Sequence, residues 1–102
     1  MAILGIFTGN NITKKMYEDA RKEVDWEHKY PAGLILHAAS FDDSGNNMHV
    51  ADVWDSEQDL NNFVSSRLKP GLERINVPMP KAEIFSIHNV NVYPSTDKYR
   101  VT

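Results

Sequence analysis

The amino-acid sequence predicts a single α+β domain in which an antiparallel sheet of four strands carries two helices on one face. Three observations lead there. Residues 13–24 and 56–68 place apolar side chains at helical spacing, and four other runs are dense in β-branched, aliphatic and aromatic residues. Two of those runs are joined directly by the turn-forming string Asp42-Asp43-Ser44-Gly45-Asn46-Asn47, as in an antiparallel hairpin. The resulting order, βαββαβ, is the split-βαβ or ferredoxin-like pattern.

The first strand is the apolar run of residues 2–7, and Thr8-Gly9-Asn10-Asn11 is expected to end it. Thr13 can cap a helix through Val24, with Met16, Tyr17, Ala20 and Val24 on its apolar side and Lys14, Lys15, Glu18 and Lys22 toward water. Tyr30-Pro31 and Gly33 then turn the chain, because a residue before proline avoids the helical region. Residues 34–41 and 48–54 are the hairpin strands. Ser56, with Asp59 three positions later, opens a second helix whose face is Leu60, Phe63, Val64, Arg67 and Leu68. Lys69-Pro70-Gly71 is expected to interrupt that helix, with one more turn at residues 72–75. After the rigid Pro78-Met79-Pro80 segment, residues 83–93 read as a long last strand carrying Ile84, Phe85, Ile87, Val90, Val92 and Tyr93. The domain is expected to span residues 1–93, and a polar tail, residues 94–102, begins at Pro94.

Composition narrows the function classes. With 102 residues, 41% of them hydrophobic, and a formal charge of -3, the chain belongs with globular rather than disordered sequences. A mildly acidic chain without a basic stripe is poorly equipped to neutralise phosphates, so no nucleic-acid partner is expected. The absence of cysteine excludes a disulfide framework, a thiolate metal site and a cysteine nucleophile, and it fits a reducing compartment. No apolar run approaches the roughly 18 residues of a membrane helix, and the opening run is short for a signal peptide, so a cytoplasmic protein without a membrane partner is expected.

The strand patterns point to a second copy of the chain. Ala2, Leu4 and Ile6 share one parity of the first strand, with Ile3 and Phe7 on the other, while Leu34 and Leu36 oppose Ile35, Ala39 and Phe41 in the second. Helices cover only one face of such a sheet. Exposing large apolar side chains on the other would forfeit about 1.5–3 kcal/mol each, and a two-fold homodimer is the simplest way to cover them.

Candidate chemistry sits on the hairpin. If Phe41 pairs with Met48, plain antiparallel register sets His37 against Asp52, Ile35 against Trp54 and Ala39 against Val50. A carboxylate beside an imidazole orients it and favours its charged form, as a general base near neutral pH requires, and Trp54 could stack on a flat substrate. The same pair could equally be a mutually satisfied structural contact. Phe63 is a further candidate for the wall of a substrate cleft, and His88 in the last strand a lesser one. His37, His49, His88 and Asp52 lack metal-ligand spacing, so no metal is expected; the glycines are isolated, without a phosphate-binding loop, and no cofactor is expected.

The segments Gly33-Leu34-Ile35-Leu36-His37-Ala38-Ala39, Val53-Trp54-Asp55-Ser56-Glu57, Phe63-Val64 with Arg67-Leu68, and Ile87-His88-Asn89-Val90 resemble the dimeric α+β barrel superfamily, in its antibiotic-biosynthesis-monooxygenase-like branch. The resemblance implies two ferredoxin-like subunits joining their sheets into a barrel, each holding a small apolar or aromatic ligand between sheet and helices. It also implies cofactor-independent oxygenation or isomerisation as reaction classes, with a non-enzymatic or stress-associated binding dimer as the alternative. Haem-degrading relatives carry an axial histidine on the second helix, where residues 56–68 here have none. Within the enzymatic reading His37 is the base, Asp52 orients it, and Trp54, Phe63 and His88 are the substrate-binding candidates.

Overall fold

The computed structural model describes residues 1–101. Strands β1 (Ile3–Asn10), β2 (Leu34–Phe41), β3 (Asn47–Trp54) and β4 (Lys81–Ser86) form one antiparallel sheet in the order β2-β3-β1-β4. Helix α1 (Lys14–Val24) follows β1, and the helical segments α2 (Glu57–Phe63) and α3 (Lys69–Arg74) follow β3, joined by a π turn, Val64–Leu68. Among the described residues no helix is long and apolar enough to cross a membrane.

Local chemistry sets these boundaries. Thr13 caps α1, its hydroxyl accepting from the Met16 amide, and Asp25 ends it in the left-handed region at φ 57°. Ser56 caps α2 by accepting from the Asp59 amide. Strand β1 runs past the expected stop at Thr8, because β3 reaches Asn47 and the ladder continues through Gly9 opposite Met48 and Asn10 opposite Asn47.

The second helix differs from its sequence-based reading. Lys69-Pro70-Gly71 does not interrupt it: the backbone stays helical from Glu57 through Arg74, and the widened turn at Val64–Leu68 comes just before the proline. Five-residue hydrogen bonding there, as from the Lys69 amide to the Val64 carbonyl, accommodates a ring that would clash with the preceding turn of an ordinary α-helix. Gly71 is buried against α1, where an added Cβ would lie 2.7 Å from Val24 Cγ2.

The last strand is also shorter than the sequence pattern implies. Because β4 runs antiparallel to β1, Ser86 already lies opposite Ile3, and a final ladder bond joins the Ile87 amide to the Ala2 carbonyl. Residues beyond it pass the start of β1 and have no strand beside them. Val90, Val92 and Tyr93 are therefore exposed, and Pro94–Tyr99 forms a 3-10 helix in the expected tail.

The core lies between the helices and one sheet face, where Ile3, Phe7, Val50 and Trp54 meet Val24, Leu60 and Phe63. The opposite face carries Leu4, Ile6, Leu36, Ala51, Val53 and Phe85, as the register dictates. No helix covers them, and Leu36 and Phe85 are 40% and 50% exposed. One residue departs from the expected parity. A bulge between Leu34 and Leu36 sends Leu34 to the helix side and Leu36 to the open face, so Trp54 faces Leu34 rather than Ile35.

Candidate active site

The site begins with the β2–β3 turn. Asp42 accepts from Asn47 Nδ2 at 2.6 Å and from Ser44 Oγ at 2.7 Å, and these bonds hold its carboxyl down at about 2. Gly45 supplies the positive φ of 74° that the turn needs. This clamp sets Phe41 against Met48, and two residues at a time the ladder carries Ala39 to Val50 and His37 to Asp52. The bulge lies beyond His37, so it leaves that pair intact.

His37 Nδ1 is 2.7 Å from Asp52 Oδ1, and Trp54 Nε1 donates to Asp52 Oδ2 at 3.2 Å. Asp52 is 7% exposed and Trp54 1%, so this carboxylate is satisfied by two neighbours rather than by bulk water. In a neutral imidazole, the tautomer that bonds to a carboxylate carries its proton on Nδ1 and offers the Nε2 lone pair as an acceptor. Its partner is Tyr17 on α1, whose hydroxyl lies 2.8 Å from Nε2.

Tyr17 is a member of this hydrogen-bonded chain that the helical spacing placed only on the apolar side of α1. Aromatic neighbours hold it: its ring lies nearly parallel to that of His37, 6.1 Å between centroids, with Trp26 at 5.6 Å and Phe41 at 5.8 Å. Burial pushes its hydroxyl up to about 12, and in the tautomer with the proton on Nδ1 it donates to His37 Nε2. In the unfolded chain the same group ionises near 10, so between about pH 10 and 12 the unfolded state loses a proton that the folded state keeps. Stability should fall across that window, and urea titrations of Tyr17→Phe should show a shallower alkaline decline than the parent protein.

Tyr17, His37, Asp52, Trp54 and Phe63 line a cavity of about 80 Å³ between sheet and helices, walled otherwise by side chains such as Phe7, Leu60 and Leu72. The hydrogen-bonded chain is its polar feature. A cavity of about 150 Å³ accommodates benzene. At about 80 Å³ this cavity therefore admits an aromatic ring only if a wall residue moves. Trp54 and Phe63, 5.5 Å apart between centroids, form one end of the apolar wall. The structure does not bring His88 there: it lies exposed beyond β4, outside a strand, and is not among the lining residues.

The architecture recurs in solved structures. The chain is similar to a putative antibiotic biosynthesis monooxygenase from Chloroflexus aurantiacus, at 10% identity and TM-score 0.65, covering 90% of this chain and 98% of that one. A monooxygenase from the gene ActVA-Orf6 of Streptomyces coelicolor, in complex with nanaomycin D, is 15% identical with TM-score 0.63 over 90% of this chain and 92% of that one. The cofactor-independent oxygenase SnoaB of Streptomyces nogalater is 10% identical with TM-score 0.58 over 87% and 92%. No protein-family model matches the sequence, and no curated protein does. The relationship is thus one of architecture: this chain has the ferredoxin-like α+β fold of the antibiotic-biosynthesis-monooxygenase-like proteins.

Proposed function

We propose that two copies of this chain join through their open sheet faces into a dimeric α+β barrel, and that each copy oxygenates a small aromatic molecule in its cavity without a cofactor. The observation that carries this reading is the hydrogen-bonded chain Tyr17–His37–Asp52 set into an otherwise apolar cavity. Such a wall favours a flat apolar ligand, and a base in it favours one with an acidic hydroxyl, a phenol or an enol.

The proton path follows from the two short bonds. A substrate hydroxyl donates to the Tyr17 oxygen while Tyr17 passes its own proton to His37 Nε2, and Asp52 stabilises the imidazolium that forms. The substrate anion gives its electrons to dioxygen, a C–O bond forms, and the resulting peroxide loses water to leave a carbonyl. The sum is SH2 + O2 → S=O + H2O, in which the substrate supplies all four electrons. Trp54 and Phe63 pack against the substrate rings. The similar Streptomyces proteins, a monooxygenase and a cofactor-independent oxygenase, support the same reading.

A non-catalytic binding protein is the second reading, favoured by the satisfaction of both His37 ring nitrogens within the protein. Oxygen uptake separates the two. Uptake with a phenolic ligand such as 2-naphthol, lost in His37→Gln, supports the oxygenase; tight binding without uptake supports the binding protein.

The dimer has its own test. Phe85 lies on the open face and is half exposed, so Phe85→Glu adds a charge there without disturbing the core. By sedimentation velocity at micromolar concentration the parent protein should run as a dimer and Phe85→Glu as a monomer. A monomeric parent would contradict the proposed assembly.

A further inference from the structure

A second pocket, about 130 Å³, opens beside the first, and Phe63 belongs to the walls of both. Its other lining includes Asp59, Asn62, Ser66 and Arg67, all from α2 and the π turn. The inner cavity is apolar apart from the His37 chain; the outer pocket sets the polar side chains of Asp59, Asn62, Ser66 and Arg67 beside the apolar walls of Pro31, Ala32 and Phe63. Phe63 is 9% exposed, Arg67 Cζ lies 5.3 Å from its ring centroid, and it is the last residue before the backbone widens into the π turn.

The outer pocket's free donors come from Asn62 and Arg67, beside an Asp59 carboxylate of which one oxygen is engaged. Asn62 Oδ1 accepts from Gln58 Nε2 at 2.8 Å, which leaves the Asn62 amide nitrogen to donate, and Asp59 Oδ2 accepts from Ser56 Oγ at 3.0 Å. Arg67 is fixed by Nη2, which donates to the Val24 and Asp25 carbonyls at the end of α1. Among the described residues its Nε and Nη1 make no hydrogen bond, so they remain to meet a ligand.

We propose that Phe63 is a movable partition between two halves of one ligand site, and that the outer half selects ligands bearing an acceptor oxygen, a carbonyl or carboxylate, at the end remote from His37. The inference rests on the reading of the inner cavity as a ligand site. Displacing Phe63 joins the two spaces and makes room for a ring system that the inner cavity alone does not hold. The inner end then receives the acidic hydroxyl and the outer end the acceptor oxygen.

The test uses three probes that share one ring system: 6-isopropyl-2-naphthol, 6-hydroxy-2-naphthamide and 6-hydroxy-2-naphthoic acid. Titration should show at least one acceptor-bearing probe binding about tenfold tighter than the isopropyl compound, with amide and acid distinguishing a carbonyl from a carboxylate preference. Asn62→Leu and Arg67→Met should each abolish that ratio while the isopropyl probe still binds. Phe63→Ala should speed association of every bound probe about tenfold in stopped flow. If the isopropyl probe binds but the ratio is absent, or survives both substitutions, the acceptor site is wrong and the inner site stands. Association unaffected by Phe63→Ala overturns the partition. If none of the three probes binds, both the inference and the inner ligand site fall.

Discussion

Asp52→Asn should leave the protein folded and lower oxygen uptake by about 10³–10⁴-fold, as loss of the orienting carboxylate does in hydrolytic triads. Two N–H groups converge on Asp52 in the proposed tautomer, from His37 and from Trp54, and a carboxylate accepts both. An asparagine offers one oxygen and one NH2. If the oxygen keeps the Trp54 bond, the amide nitrogen faces His37 Nδ1 and forces the imidazole proton onto Nε2. That nitrogen then donates toward Tyr17 and takes no proton from it. Nitrogen NMR of the His37 ring should report the exchange of protonated and unprotonated positions, a readout that a purely structural loss would not produce. Stability should fall by about 1–3 kcal/mol, the cost of one badly satisfied buried polar group.

Trp54→Ala should destabilise the fold by about 3–5 kcal/mol, the range for removing a fully buried large aromatic side chain. Trp54 is the one described residue that is both large and fully buried, and it joins the end of β3 to Phe63 and, through its indole N–H, to Asp52. For a domain of this size the midpoint should drop by roughly 12 °C or more. Trp54→Phe separates the contributions: it keeps most of the packing but loses the N–H, so its cost should stay near 1–3 kcal/mol. Thermal and urea unfolding of both variants measure the difference, and a Trp54→Phe cost near zero would show that Asp52 gains nothing from the indole.

The sequence made the hairpin register legible for a physical reason. Six turn-forming residues separate Phe41 from Met48, and once those two are paired His37 must face Asp52. The bulge at Leu34–Leu36 left no such mark, because Leu34, Ile35 and Leu36 are all apolar and either face accepts them. Tyr17 was read as core because it shares helical spacing with Met16, Ala20 and Val24. A signal existed even so: a half-buried tyrosine must place its hydroxyl, and the polar pair on the underlying sheet was a place to put it. Residues 87–93 alternate as a strand would, but pairing depends on a neighbour, and β1 begins at Ile3. Lys69-Pro70-Gly71 carried a breaker signal that a π turn absorbed, a tertiary solution invisible in local propensity.

In the proposed mechanism His37 takes a proton from a bound ligand through Tyr17. Absorbance of 2-naphthol bound at pH 7 tests this most directly, because the neutral and ionised forms of the probe have different spectra. The parent protein should shift bound probe toward the naphtholate band, and Tyr17→Phe and His37→Gln should each abolish the shift while still binding. Bound probe that stays neutral in the parent protein, or a naphtholate band that persists in His37→Gln, would contradict the account.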